Sequence, residues 1–95
     1  MNENRIVLKF DNTLTNLAGY DYGVSVYEKQ IKGNLDLSQE FVLVFPLQIK
    51  GVAASFVQGI FSEIVDEIGL LETEKRVKIE AQNTNLAQAI IEKLM

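Results

Sequence analysis

Carboxylates, tyrosines and one serine are the residues whose type and spacing could carry chemistry. Glu63, Asp66 and Glu67 fall within one helical turn, and Glu72 and Glu74 follow. Oxygen donors grouped in this way could hold magnesium or calcium. The same residues also make the polar face that an amphipathic helix turns to water, and that solvated face is their expected role. Tyr20, Tyr22 and Tyr27 bracket the start of a predicted helix. Aromatic side chains beside a loop can anchor a partner, or their rings can seal the edge of a small core. Tyr27 is expected in the core; Tyr20 and Tyr22 fit either role. Ser55 falls in the first turn of the longest predicted helix, just after the most apolar strand. The N–H groups there lack helical partners and favour negative charge. A phosphoryl group on Ser55 would be stabilised and could reshape a binding surface. The plain alternative is that Ser55 caps its helix or packs as a small residue.

The missing residue types narrow the function further. The chain has no cysteine, which excludes disulfides, thiolate chemistry and the usual structural zinc sites. It has no histidine, which removes the commonest general acid/base and transition-metal ligand. No phosphate-binding glycine spacing occurs; Gly19 and Gly23 merely flank tyrosines. These absences argue against an enzyme, and no catalytic residue, metal or cofactor is expected. The net charge is −4, and the nine lysines and arginines form no basic run. Neither nucleic acid nor an anionic membrane surface is an expected partner. No apolar run reaches the roughly 18–20 residues that span a bilayer. Residues 1–5 lack the basic start and apolar stretch of a signal peptide. The expected location is the cytoplasm.

The elements that position these residues alternate in type. Arg5 to Phe10 reads as a strand ending at the Asp11-Asn12 turn pair, with Thr13 to Thr15 as a short return strand of a hairpin. A helix follows Tyr20–Gly23, its stripe being Val24, Tyr27, Ile31 and Leu35. Glu28 and Lys32 are spaced as a surface pair, and Gly33-Asn34 ends the helix. Phe41 to Phe45 is apolar throughout, which predicts a central strand buried on both faces. Pro46 ends it, and Leu47 to Gly51 is a loop. A long helix runs from about Val52 to Ile68 with Ala53, Phe56, Val57, Ile60, Phe61, Ile64, Val65 and Ile68 on its apolar face. Gly69 is its expected C-cap. Arg76 to Glu80 alternates like an edge strand whose lysine and glutamate discourage unwanted pairing. Asn83-Thr84-Asn85 supplies an N-cap to a last helix buried through Leu86, Ile90 and Leu94, with Ala87 and Ile91. Ninety-five residues allow one core, so the chain is one domain over 1–95. Alternating strands and helices predict an α/β fold: a small, mostly parallel or mixed sheet of three to four strands, packed with about three helices.

The stretch Phe41 to Phe45, then Ile49, then Ala53-Ala54-Ser55-Phe56-Val57-Gln58-Gly59-Ile60-Phe61, resembles the STAS-like domains. These are small relatives of the anti-sigma factor antagonists, in which a buried strand leads through a serine-containing loop into a long apolar helix. The resemblance covers most of the chain from about Tyr22. It implies a mixed sheet with helices, no cofactor and a role in protein–protein regulation. In the better-known antagonists a serine at this helix start is phosphorylated by a partner kinase. Their Asp-Ser-x-Gly is absent here: Ala53 or Ala54 takes the switch position, and Ser55 lies one or two residues later. A constitutive binding module is therefore as compatible as a phospho-switch. The leading expectation is a non-enzymatic regulatory module that binds a signalling protein, of which a histidine-kinase-type ATPase is the example the resemblance offers. The alternative is a structural or accessory subunit of a phage or defence-system assembly, driven by a sheet edge or helix rim; a homo-oligomer is compatible with both. Ligands meet α/β sheets at the C-terminal ends of the strands. The expected contact rim is accordingly Gln48, Lys50, Gly51, Ser55 and Gln58.

Overall fold

The computed structural model describes residues 4–94. The chain builds β1 (Arg5–Val7), β2 (Asn16–Leu17) and α1 (Tyr20–Val26), which runs on as a π-helical turn over Tyr27–Ile31. Then come β3 (Phe41–Val44), β4 (Gly51–Val52), α2 (Ala54–Ile68), α3 (Leu70–Arg76), β5 (Val77–Glu80) and α4 (Thr84–Leu94). The main sheet is wholly parallel, in the order β1-β3-β5, and β2 and β4 form a separate parallel pair. This is the small α/β domain that the alternation of apolar strands and amphipathic helices predicts.

Ladder partners in a parallel sheet share a face. Ile6, Leu43 and Ile79 are aligned across the three strands. They lie with Phe41, Phe45 and Val77 on the side where the helices pack. Phe41, Leu43, Phe45, Phe56, Val57, Ile60, Phe61, Ile64 and Ile90 are sealed from solvent there. Moving the strand order in one direction through right-handed crossovers puts both crossover helices on one side.

The other face carries Arg5, Val7, Val42, Val44, Lys78 and Glu80. Val7 is 53% exposed, and Val42 and Val44 are half-buried. The expectation of a strand buried on both faces is thus corrected. β3 is central, but helices cover one face only. Arg5 on β1 reaches over β3 to Glu80 on β5, with a 2.8 Å ion pair across the open face.

Local chemistry explains the other departures from the sequence reading. The expected hairpin at Thr13–Thr15 does not form. The Asp11 carboxylate accepts the Thr13 N–H at 2.9 Å, and its carbonyl accepts the Leu14 N–H at 3.0 Å. The chain leaves this turn to run parallel to Gly51–Val52, so the loop expected over Leu47–Gly51 ends in a strand and α2 starts two residues later than expected, at Ala54. The π turn rotates the end of the first helix, so the buried residues are Gly23, Val26, Tyr27 and Ile31, and Val24 is only half-buried. Lys32 pairs with Glu63 at 3.6 Å instead of Glu28.

Among the described residues there are four helices where about three were expected, the addition being α3. Gly69, at φ +86°, caps α2 by donating to the Val65 carbonyl at 2.8 Å. Its own carbonyl accepts the Thr73 hydroxyl at 2.7 Å and the Thr73 N–H at 3.0 Å, which opens α3 immediately.

Candidate functional site

In a parallel sheet with crossover helices, the C-terminal strand ends and the helix N-termini meet at one end. That end gathers Tyr20 from α1, the Pro46–Ala53 connection and the first turns of α2. The predicted rim residues lie there, in unequal roles. Lys50, Ser55 and Gln58 are exposed, while Gln48 and Gly51 are half-buried. Gln48 holds the structure together: its amide donates to the carbonyls of Asp11 and Leu14, at 2.7 and 3.2 Å. Gly51 pairs with Asn16 in the small sheet. Lys50 anchors its backbone by donating to the Thr15 carbonyl at 2.7 Å, and the residue is exposed.

Ser55 does not cap its helix. The N-cap is Ala53, which has no side chain able to do so. The Ser55 hydroxyl instead accepts the Gly19 N–H at 3.0 Å, a link across 36 residues that fastens the start of α1 to the start of α2. Tyr20 and Tyr22 follow directly and are 48% and 40% exposed. Tyr22 lies against Phe56 with ring centroids 5.5 Å apart, and Phe10 completes the aromatic group at 6.4 Å from Tyr22 and 6.3 Å from Phe56. Its ring is therefore seated on the core while part of it faces solvent. The Gly19 bond thus brings the exposed Tyr20 and the seated Tyr22 to the same end of the domain as Ser55, where aromatic side chains can anchor a partner. Leu47, 73% exposed at the end of β3, adds an apolar contact that the sequence reading did not single out. The signal available was an apolar residue directly after Pro46, in a segment expected to be a loop.

A cavity of about 870 Å³ lies at the opposite end, among Tyr27, Lys32, Asp36, Glu63, Glu67 and Arg76. Several of its charged groups have partners nearby. Arg76 donates to the Leu37 carbonyl at 2.7 Å and to Glu72 at 2.8 Å, and Lys32 sits 3.6 Å from Glu63. Asp36 accepts from the Ser38 hydroxyl and N–H and from the Gln39 amide, and these bonds, with the Arg76 charge, hold its carboxyl below the usual range. Tyr27 is shifted upward, first by burial and then by the negative charges of Glu63 and Glu67. The acidic residues of α2 line this cleft; Glu63 pairs with Lys32 through one carboxylate oxygen, and its other oxygen is buried without a hydrogen-bond partner among the described residues. Among the described residues, no group of three or more carboxylates could hold a metal ion. None of the described helices is long and apolar enough to cross a membrane. Comparison with family models, curated proteins and solved structures gave no match.

Proposed function

We propose that this chain is a non-enzymatic interaction module of the cytoplasm, with a protein partner seated on the rim formed by Tyr20, Tyr22, Lys50, Ser55 and Gln58. The observation that carries this reading is the exposed tyrosine pair held beside Ser55 by the Gly19 hydrogen bond. Large aromatic side chains on a rigid base give contact area at little entropic cost, and Lys50 and Gln58 supply polar contacts around them. The absence of histidine and cysteine supports binding over catalysis. The resemblance to STAS-like domains suggests a regulatory partner, with a kinase-like ATPase as its example, and it places Ser55 near the position where related antagonists are controlled. Ser55 is an exposed residue, as a modifiable serine must be. The alternative role, a subunit of a larger assembly, is favoured by one feature: the outer edge of β5, unpaired among the described residues.

The test is affinity capture from the native cell with three baits. The wild-type chain and a cleft variant, Asp66→Asn, should retain the same protein at matching yield. A rim variant, Tyr20→Ala with Gln58→Arg, should lose it while melting at nearly the wild-type temperature. A partner that survives the rim changes, or no specific partner at all, overturns the proposal.

A further inference from the structure

The two edges of the main sheet differ. Along β1, Lys9 just past the strand has both its backbone groups taken by the Gln30 side chain, each at 2.8 Å. Arg5 and Lys9 also make that edge positive. β5 has no such cover. The Glu80 carbonyl accepts the Phe45 N–H, so Lys78 and Glu80 turn their backbone groups toward β3. Val77, Ile79 and Ala81 therefore turn theirs outward. The Val77 N–H is taken by the Thr73 carbonyl. Among the described residues, nothing takes the Val77 carbonyl, either backbone group of Ile79 or the Ala81 N–H. Beside this edge runs a groove of about 260 Å³ between β5 and α4, lined by Val77, Ile79, Ala87, Gln88 and Ile91.

We infer that β5 is a self-pairing edge, on which a second copy of this chain adds its own β5 antiparallel about a two-fold axis at Ile79, making one continuous six-stranded sheet. The free groups match this operation. Ile79 exchanges both its hydrogen bonds with its counterpart, and each Ala81 N–H meets the other copy's Val77 carbonyl. The charges select the register. An axis at Lys78 would place lysine against lysine, and one at Glu80 would place glutamate against glutamate. An axis at Ile79 sets Lys78 against Glu80 twice, in the close non-hydrogen-bonded positions that flank the central pair. Glu80 already holds Arg5 at 2.8 Å, so each junction becomes a chain of three alternating charges on the open face. On the other face the two Ile79 side chains meet and occupy the grooves beside Ala87 and Ile91. A two-fold contact of this kind is self-complementary and closes at two copies. It uses β5 and α4, so it stands or falls separately from the tyrosine rim.

The test is analytical ultracentrifugation over a concentration series, with thermal melts to verify folding. The wild type should form a dimer. Lys78→Glu faces Glu80 with glutamate, and Glu80→Lys faces Lys78 with lysine, so each variant alone should be a folded species whose dimer is weakened by about tenfold or more. Mixing the two restores both opposite-charge contacts and should give a one-to-one heterodimer. A wild type that stays monomeric, single variants that dimerise as well as the wild type, a mixture that fails to associate, or assemblies larger than two would each overturn the inference.

Discussion

Gly23 of α1 lies directly on the backbone of α2 at Gly59. A Cβ on Gly23 would stand 3.1 Å from the Gly59 carbonyl carbon and 2.7 Å from the Ile60 nitrogen, and it would also clash with the Phe56 carbonyl oxygen. A Cβ on Gly59 would run into the Tyr20 carbonyl oxygen, with its carbon 2.9 Å away. The two helices cross without intervening side chains, which places Tyr20 and Gly19 beside the start of α2. Gly59→Ala should therefore lower stability by about 3 kcal/mol, the upper part of the range for overpacking. Gly33→Ala meets nothing within 4 Å at φ +80° and should cost about 1–2 kcal/mol of backbone strain alone. Urea melts of the two variants compare the effects.

Phe56 joins the helix layer to the rim, packed below Tyr22 and fully buried. Phe56→Ala should cost about 3–5 kcal/mol. That is a large share of a small domain's stability. Less than about 1 kcal/mol lost in a urea melt would contradict the packing described.

Replacing Ser55 separates its structural role from its surface role. Ser55→Ala removes the acceptor of the Gly19 N–H and should cost about 1 kcal/mol. Ser55→Asp keeps an acceptor and places a negative charge in the first turn of α2, where unpaired N–H groups favour it. Its melting temperature should stay close to wild type while partner affinity changes. Equal affinity in both variants would exclude Ser55 from the contact surface.

Acid and alkali should act through different residues. Hydrogen bonds from the Thr13 N–H and hydroxyl to Asp11, and from the Ser38 hydroxyl and N–H and Gln39 to Asp36, depress both carboxyl pKa values in the folded state. A depressed carboxyl stabilises the fold above its unfolded pKa of about 3.9, and that contribution is lost as pH falls through the folded value. Asp36→Asn should flatten the acid limb of a stability–pH curve. Tyr27 shifts the opposite way. The fold favours its protonated phenol, a preference fully present below the unfolded pKa of about 10 and lost as pH rises through the higher folded value. Tyr27→Phe should remove part of the alkaline loss, measured by melts at rising pH.

Long apolar patterns were legible in the residues, and short or distant relationships were not. The α2 stripe through Phe56, Val57, Ile60, Phe61 and Ile64 is the buried face of that helix. Asn83 caps α4, accepting the Leu86 N–H at 2.8 Å as the motif predicts. α3 escaped because it is a seven-residue helix whose leading residues, Leu70 and Leu71, are exposed, so no apolar stripe marks it. β2 and β4, two residues each, carry no alternation to detect. The π turn altered the first helix in a way that spacing by three and four cannot express. At the rim, the position of Ser55 was legible, but its acceptor role for Gly19 depends on the glycine crossing of α1 and α2.

The Gln30 side chain has a consequence for aggregation. Its amide copies the two hydrogen bonds that a neighbouring strand would make to Lys9, so it behaves as a one-residue false strand at the end of β1. A sheet open at both edges can recruit copy after copy into a fibre. Here the false strand occupies the far end of one border, at Lys9, and shortens the stretch of β1 that could recruit a strand. Without that amide, the β1 border would be sticky over a longer stretch, by both backbone groups of Lys9.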